Sequence, residues 1–293
     1  MKIKLFCLGL KGYNVIKAIH EKRSEDYLIC TIGRDVGIDD DFSAELEAYC
    51  IKNYIKYTFR SDEDSEDVFD VAIAVGWKWI INNVAENKLV VIHDSLLPKY
   101  RGFAPLVNAL LKKESEVGVT ALLGVDKYDR GRILLQKKMR VLYPTTISNE
   151  LKRMSELYVE LAFELIDILS NSPLSSLGEE QDEKGATYSL WLDEQDYRIN
   201  WLDSASNIAH FIACVGNPYR GATALLNGNP IRIINAKALD DVEIENRHIG
   251  KVIFVENNQP VVVCGEGLLL IENALDLDGA SILPLKFFRS RFS

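Results

Sequence analysis

Apolar and polar positions follow two different rhythms along this chain, and the change between them divides it. Over roughly the first 180 residues, short apolar runs rich in β-branched side chains alternate with stretches whose apolar positions recur at helical spacing. Residues 2–8 read as a strand; Gly9 and Gly12 follow, and Val15, Ile16 and Ile19 then line one face of a helix ending near 22. A strand over 27–32, a helix over 41–51 and a strand near 54–57 come next. Residues 68–75 and 89–92 are almost wholly apolar, the pattern of strands buried on both faces. Two more strands are expected over 118–125 and 133–141. Leu151, Met154, Leu157, Tyr158, Leu161 and Leu165 then give a broad apolar stripe to a long helix over 148–169. Such alternation builds an α/β domain: a Rossmann-like, mostly parallel sheet with helices on both sides. Sheets of this kind bind ligands beyond the carboxyl ends of their strands.

The rhythm breaks over 171–184, where Pro, Ser, Gly and a charged cluster read as a linker. Beyond it, a helix over 204–214 is followed by closely spaced strands over 222–226, 230–235, 251–256, 259–264 and 268–272. Asn257-Asn258 is placed as a hairpin turn between two of them. The spacing predicts a smaller β-rich domain, an OB-like barrel. The expected organisation is therefore 1–175 as one domain, 176–200 as linker and 201–293 as the second.

The composition is that of a globular protein, with 47% hydrophobic and 26% charged residues among 293. The net charge of −9 counts against a nucleic-acid partner, because neutralising phosphates takes clustered Lys and Arg. Five cysteines at 7, 30, 50, 214 and 264 are odd in number, widely spaced and mostly in apolar runs. They suit neither a disulfide framework nor a metal site, and read as reduced, buried thiols in a cytoplasmic protein. No run approaches the length of a membrane span.

The chemistry concentrates where the strand over 89–92 ends. His93 opens a loop, HDSLLPKYRG to Gly102, then Phe103-Ala104-Pro105. Asp129 lies in Lys127-Tyr128-Asp129-Arg130-Gly131, between the two strands that follow, from where a carboxylate can reach the same edge. A carboxylate beside an imidazole orients its tautomer and tunes it for acid–base work near neutral pH. Read alone, a histidine at a strand end is more often structural, and Asp followed two residues later by Gly is common turn chemistry.

This loop resembles the signature of the folate-dependent formyltransferases. Gly118-Val119-Thr120 and the stretch from Asp126 through Asp129-Arg130-Gly131 to Leu134 are similar to that family's second motif. Arg198-Ile199-Asn200-Trp201 and Asn217-Pro218-Tyr219-Arg220-Gly221-Ala222 resemble its C-terminal domain. The resemblance implies formyl transfer from 10-formyltetrahydrofolate to an amine, without a metal, with His93 and Asp129 as the catalytic pair. It further assigns Gly76, Trp77, Ser95 and Asp126 to the folate, and Arg101 and Gly102 to the acceptor. For Trp77 the alternative is a core aromatic. For Ser95 it is a loop-shaping role, and Arg101 at a sheet edge can orient its loop as readily as meet an anion. One departure is plain: where the family carries an asparagine two residues before the histidine, this chain has Val91. Valine cannot donate a hydrogen bond to a developing oxyanion. Either another donor substitutes, with His93 as imidazolium carrying that role, or catalysis is impaired.

The acceptor is argued from charge. Residues 34–41 include Asp35 and the run Asp39-Asp40-Asp41, where a tRNA enzyme of this family tends to be basic; from Trp201 onward acidic residues outnumber basic ones. Such a field repels an extended polyanion. A nucleotide-linked amino sugar is the expected acceptor, its product a formamido sugar for a surface polysaccharide. Methionyl-tRNA and a catalytically impaired folate-binding protein are the alternatives. A homodimer is expected from family habit.

Overall fold

The computed structural model of the chain describes residues 1–37, 40–62 and 67–293. Two compact units are present, one of residues 1–142 with 149–191 and one of residues 143–148 with 192–293.

The first unit runs β1 (Lys2–Cys7), α1 (Gly9–Lys22), β2 (Tyr27–Ile32), α2 (Ser43–Lys52), β3 (Lys56–Phe59), β4 (Val71–Val75), β5 (Leu89–His93), β6 (Arg101–Gly102), α3 (Pro105–Leu111), β7 (Glu116–Leu123) and β8 (Ile133–Arg140). The long helix α4 (Ile147–Asn171) and β9 (Tyr188–Ser189) follow. Seven strands form one sheet in the order β3-β2-β1-β4-β5-β7-β8. The first five are parallel, as the alternating pattern predicts; β7 and β8 are antiparallel to their neighbours, making the sheet mixed. Burial explains the sequence patterns. Each residue of β4 is buried, whereas the outer strand β8 alternates toward the surface like a one-sided strand.

Strand order reverses between β1 and β4, the point at which sheets of this kind place their ligands. Gly76 lies at that point with φ +63°, and a Cβ on it would stand 2.7 Å from the Leu8 carbonyl oxygen. Only glycine lets the two loops pass so closely. The Leu89, Val91 and His93 face of β5 continues a cluster of Phe6, Ala72, Ala74 and Val84, on which Val91 and Trp77 pack. Cys7, Cys30 and Cys50 are buried thiols in this unit, as are Cys214 and Cys264 in the other.

In the second unit α5 (Ala205–Val215) precedes β10 (Ala222–Leu226), β11 (Asn229–Leu239), β12 (Val252–Glu256), β13 (Gln259–Val263) and β14 (Leu268–Leu275). Ser204 caps α5, its hydroxyl accepting from the Asn207 N–H at 3.2 Å. The strands form an antiparallel sheet ordered β10-β11-β14-β13-β12. Phe292 bridges β10 and Arg291 bridges Lys251 beside β12, so the last residues join the two edges of the sheet. Asn257 and Asn258 take φ of 49° and 68°, the doubly left-handed turn that suits the twist of the β12–β13 hairpin.

The stretch expected to be a linker is not a free tether. Residues 179–189 are hydrogen-bonded into the first unit, and the division between units falls after Trp191. Among the described residues no helix is long and apolar enough to cross a membrane.

Candidate active site

β5 delivers His93 to the carboxyl edge of the sheet, and the β7–β8 loop brings Asp129 to it. Imidazole Nδ1 lies 3.5 Å from Asp129 Oδ1, and Nε2 lies 2.8 Å from the Tyr100 carbonyl oxygen. Both ring nitrogens thus face oxygen acceptors. The other carboxylate oxygen, Oδ2, accepts the Gly102 N–H at 2.8 Å. One end of the aspartate is tied to the histidine loop and the other is aimed at the ring. Asp129 holds φ +53°, a left-handed conformation that aspartate tolerates better than most residues. The turn that carries it presses on β7: a Cβ on Gly131 would lie 1.8 Å from the Leu123 carbonyl oxygen.

The loop between His93 and Gly102 is braced from within. Ser95 Oγ donates to the Lys99 carbonyl at 2.7 Å, and the Thr120 hydroxyl donates to the Ser95 carbonyl at 2.6 Å. Gln136 donates to the Leu97 carbonyl at 2.9 Å. Ser95 is buried and its hydroxyl shapes the turn, as the loop-shaping alternative expects.

Arg101 takes the loop-orienting alternative of the two roles expected for it. Its side chain is fully buried, and its guanidinium donates to Gln181 Oε1 at 3.1 and 2.8 Å and to both Glu183 oxygens at 3.0 and 2.9 Å. The Arg101 hydrogen bond holds the Glu183 carboxyl below its usual range. The guanidinium therefore fastens the loop to residues 179–189 instead of offering itself to an anionic acceptor. β6 and β9 pair along this seam, with the Arg101 N–H donating to the Thr187 carbonyl and the Phe103 N–H to that of Ser189. Glu179 exchanges both backbone hydrogen bonds with Ile133 at the start of β8. Residues 179–189 thus form a strap across both loops of the site.

Gly76 and Trp77 leave the sheet beside His93, because Ala74 and Val75 of β4 pair with Val91 and Ile92 of β5. Trp77 packs edge-on against Phe6 and Trp79, at centroid distances of 5.2 and 4.9 Å, which is the core-aromatic alternative. Its buried Nε1 has no hydrogen-bond partner among the described residues. Asp126 is exposed on the same loop as Asp129. Val91 shares the His93 face of β5, two residues away, and is half-buried against the apolar cluster.

On the opposite face, Asp94 is held by Lys11 Nζ and by the Tyr158 hydroxyl, which also lies 3.0 Å from the Ile92 carbonyl oxygen. Burial pushes the Asp94 carboxyl up, but the Lys11 ammonium and the Tyr158 hydrogen bond more than offset this, leaving it below the usual carboxylate range. Burial, reinforced by Asp94, pushes the Tyr158 phenol well up. This network pins the end of β5 that carries His93. Sequence reasoning missed it, although Asp94 stands inside the signature loop. A cavity of about 150 Å³ lies beside it, lined by Asp94, Ser95, Lys99, Tyr100 and Glu114 among others, with neither His93 nor Asp129 in its wall. Among the described residues, no group of three or more His, Cys, Asp or Glu side chains is arranged to hold a metal ion.

Of the acidic loop at 34–41, Asp39 lies outside the described residues. Asp35 pairs with Lys78 at 2.6 Å, and Asp41 accepts the N–H groups of Ser43, at the start of α2, and of Asp35.

Residues 62–166 match the formyl transferase family, and residues 192–291 match the formyl transferase C-terminal domain. A methionyl-tRNA formyltransferase from Carboxydothermus hydrogenoformans is 34% identical over 194 residues, 66% of this chain and 61% of the relative. The chain thus spans about three fifths of the length of the curated relatives it matches. In fold it is similar to an N-formyltransferase from Helicobacter canadensis solved in complex with folinic acid and dTDP-3-aminofucose. The TM-score is 0.67 and the identity 18%, covering 92% of this chain and 98% of that one. HypX from Aquifex aeolicus, solved with tetrahydrofolic acid, gives a TM-score of 0.66 at 16% identity, covering 97% of this chain and 45% of that one.

Proposed function

The chain belongs to the formyl transferase family, and on that premise we propose that it moves the formyl group of 10-formyltetrahydrofolate onto the amine of a nucleotide-linked amino sugar. The observation that carries the reaction is the His93–Asp129 pair at the carboxyl edge of the sheet. In this reading the acceptor nitrogen attacks the formyl carbon, giving a tetrahedral intermediate whose oxygen becomes anionic. The C–N bond to the folate then breaks, and the proton lost by the amine ends on the folate nitrogen. His93, protonated and oriented by Asp129, supplies the N–H that stabilises the oxyanion once Nε2 exchanges the Tyr100 carbonyl for the formyl oxygen. Asp129 balances the ring's charge. Gly76 and Trp77, where β4 meets this edge, are the residues that would border the folate; the Trp77 N–H, without a hydrogen-bond partner among the described residues, supports a polar group lying there.

Two observations support the sugar as acceptor. The similarity to the Helicobacter canadensis enzyme, solved with a dTDP-linked amino sugar, runs nearly the full length of both chains. The overall charge of −9 disfavours an RNA partner. Methionyl-tRNA is the second reading, favoured by the 34% identity to an enzyme of that name. The proposed setting is cytoplasmic, with a homodimer as the working state and a formamido sugar for surface polysaccharide as the product. Incubation with 10-formyltetrahydrofolate and either a panel of amino-sugar nucleotides or charged initiator tRNA tests it. Formylation of a sugar nucleotide supports the proposal, and formylation of the tRNA alone supports the second reading. Folate binding without turnover would identify a catalytically impaired homologue.

A further inference from the structure

Gln181 sits in the polar stretch that follows α4 within the first unit, where composition gives no hint of a role, yet its side-chain amide is fully engaged with the site. Nε2 donates to the carbonyls of Asp129 and Gly131, both at 2.8 Å. Oε1 accepts from Arg101 Nε and Nη2. The N–H of Gly102, next to Arg101, donates to the Asp129 carboxylate. A closed ring results: the Asp129 carboxylate to Gly102, along the chain to Arg101, across to Gln181 and back to the Asp129 carbonyl. Glu183 grips the far side of the same guanidinium.

We propose that Gln181 is a positioning residue, which holds the left-handed turn of Asp129 so that one carboxylate oxygen faces His93 while the other stays on Gly102. The carbonyls of Asp129 and Gly131, two residues apart in a tight turn, both meet one carboxamide, which supplies both donors while its oxygen is fixed by a buried arginine. Without those donors the peptide planes at 129–131 are free to rotate, and the Asp129 carboxylate moves with them. The Nδ1 to Oδ1 separation is already 3.5 Å, so a small further displacement uncouples the pair. Misplacing a catalytic group by about 1 Å costs on the order of 10²-fold in rate.

This inference rests on the formyl-transfer reading of the pair, and its test separates the two. Gln181→Glu keeps the length and the acceptor for Arg101 but replaces the double donor with an oxygen; Gln181→Met keeps the length and removes both functions. The expected result is a fall in kcat of roughly 10²-fold for either variant. KM for 10-formyltetrahydrofolate and the thermal midpoint stay near wild type, and Glu180→Gln, an exposed neighbour, retains wild-type kcat. Hydrogen exchange of the substrate-free protein supplies a readout independent of turnover: amides of residues 127–132 exchange faster in Gln181→Met than in wild type. Unchanged kcat in a folded variant, alongside an inactive His93→Ala, overturns the inference. So does a kcat loss matched by loss of folded protein, or unaltered exchange at 127–132. Wild-type turnover by His93→Ala overturns the formyl-transfer reading instead, leaving the exchange result to decide the role of Gln181.

Discussion

Replacing Val91 with asparagine restores the side chain that the formyltransferase family carries two residues before its histidine. Val91 and His93 share a face of β5, and two residues of strand span roughly 6.6 Å. An amide there points to the same side of the sheet as the imidazole, where an oxyanion would form. A donor aimed at an oxyanion contributes about 10²–10³ in kcat, or roughly 3–4 kcal/mol in the transition state. The substitution also has a cost. Val91 is half-buried against Phe6, Ala72, Ala74 and Leu89. Losing half of a valine's burial costs about 1 kcal/mol, and an amide left partly unsatisfied there costs about 1 kcal/mol more. For a unit of this size, about 2 kcal/mol lowers the thermal midpoint by roughly 4–8 °C. The assay is steady-state release of tetrahydrofolate at saturating donor and acceptor, with thermal unfolding measured in parallel. The expected outcome is a rise in kcat of at least about tenfold, a conservative share of the full donor effect, with a lower midpoint. Unchanged kcat in a folded Val91→Asn protein would refute the reasoning, because a missing oxyanion donor would then not limit the reaction.

Other perturbations follow from the same geometry. Asp94→Asn removes the carboxylate that faces the Lys11 ammonium, a partly buried pair whose loss costs about 3 kcal/mol at neutral pH. Because the folded-state pKa of Asp94 is depressed, its contribution is present in full above the ordinary carboxyl value near 3.9 and is lost as pH falls through the lower folded value. Urea unfolding of wild type and variant should therefore differ at pH 7 and converge below about pH 4; a gap independent of pH would count against an ionised Asp94. Gly131→Ala brings a Cβ against the Leu123 carbonyl, and is expected to cost about 1–3 kcal/mol and to lower kcat by shifting Asp129 two residues away. Thermal unfolding and turnover of that variant check both effects. Arg101→Lys loses the fork that grips Gln181 and Glu183 together, so kcat should fall while KM for the acceptor holds. A selective rise in acceptor KM would return Arg101 to substrate binding.

Long periodic elements were legible because burial imposes their patterns. β4 and β5 stand out as apolar runs because the sheet covers them on both faces, and α4 because its stripe faces the core. The β12–β13 turn was readable from two asparagines that tolerate left-handed backbone. β11 is longer than expected because a register shift around Asn235 interrupts the alternation that marks a strand. β6 and β9, two residues each, are too short to show any period. His93 and Asp129 were readable from motif and spacing together. What escaped was the support around them. Gln181 and Glu183 lie in a stretch whose polar composition is the same whether it is solvated or strapped to a buried arginine, and only the fold tells these apart. Arg101 misled for the same reason: a charged residue in a loop reads as exposed until its partners are known.

In the proposed mechanism His93 and Asp129 act as one unit in formyl transfer. A double-mutant cycle of His93→Ala, Asp129→Ala and the combined variant, read as kcat/KM for formylation of the amino-sugar nucleotide, tests it most directly. Strong non-additivity is expected, with the double variant no slower than the slower single variant, because either loss already disables the pair. Losses that multiply across the two sites, or a single variant with wild-type rate, would contradict it.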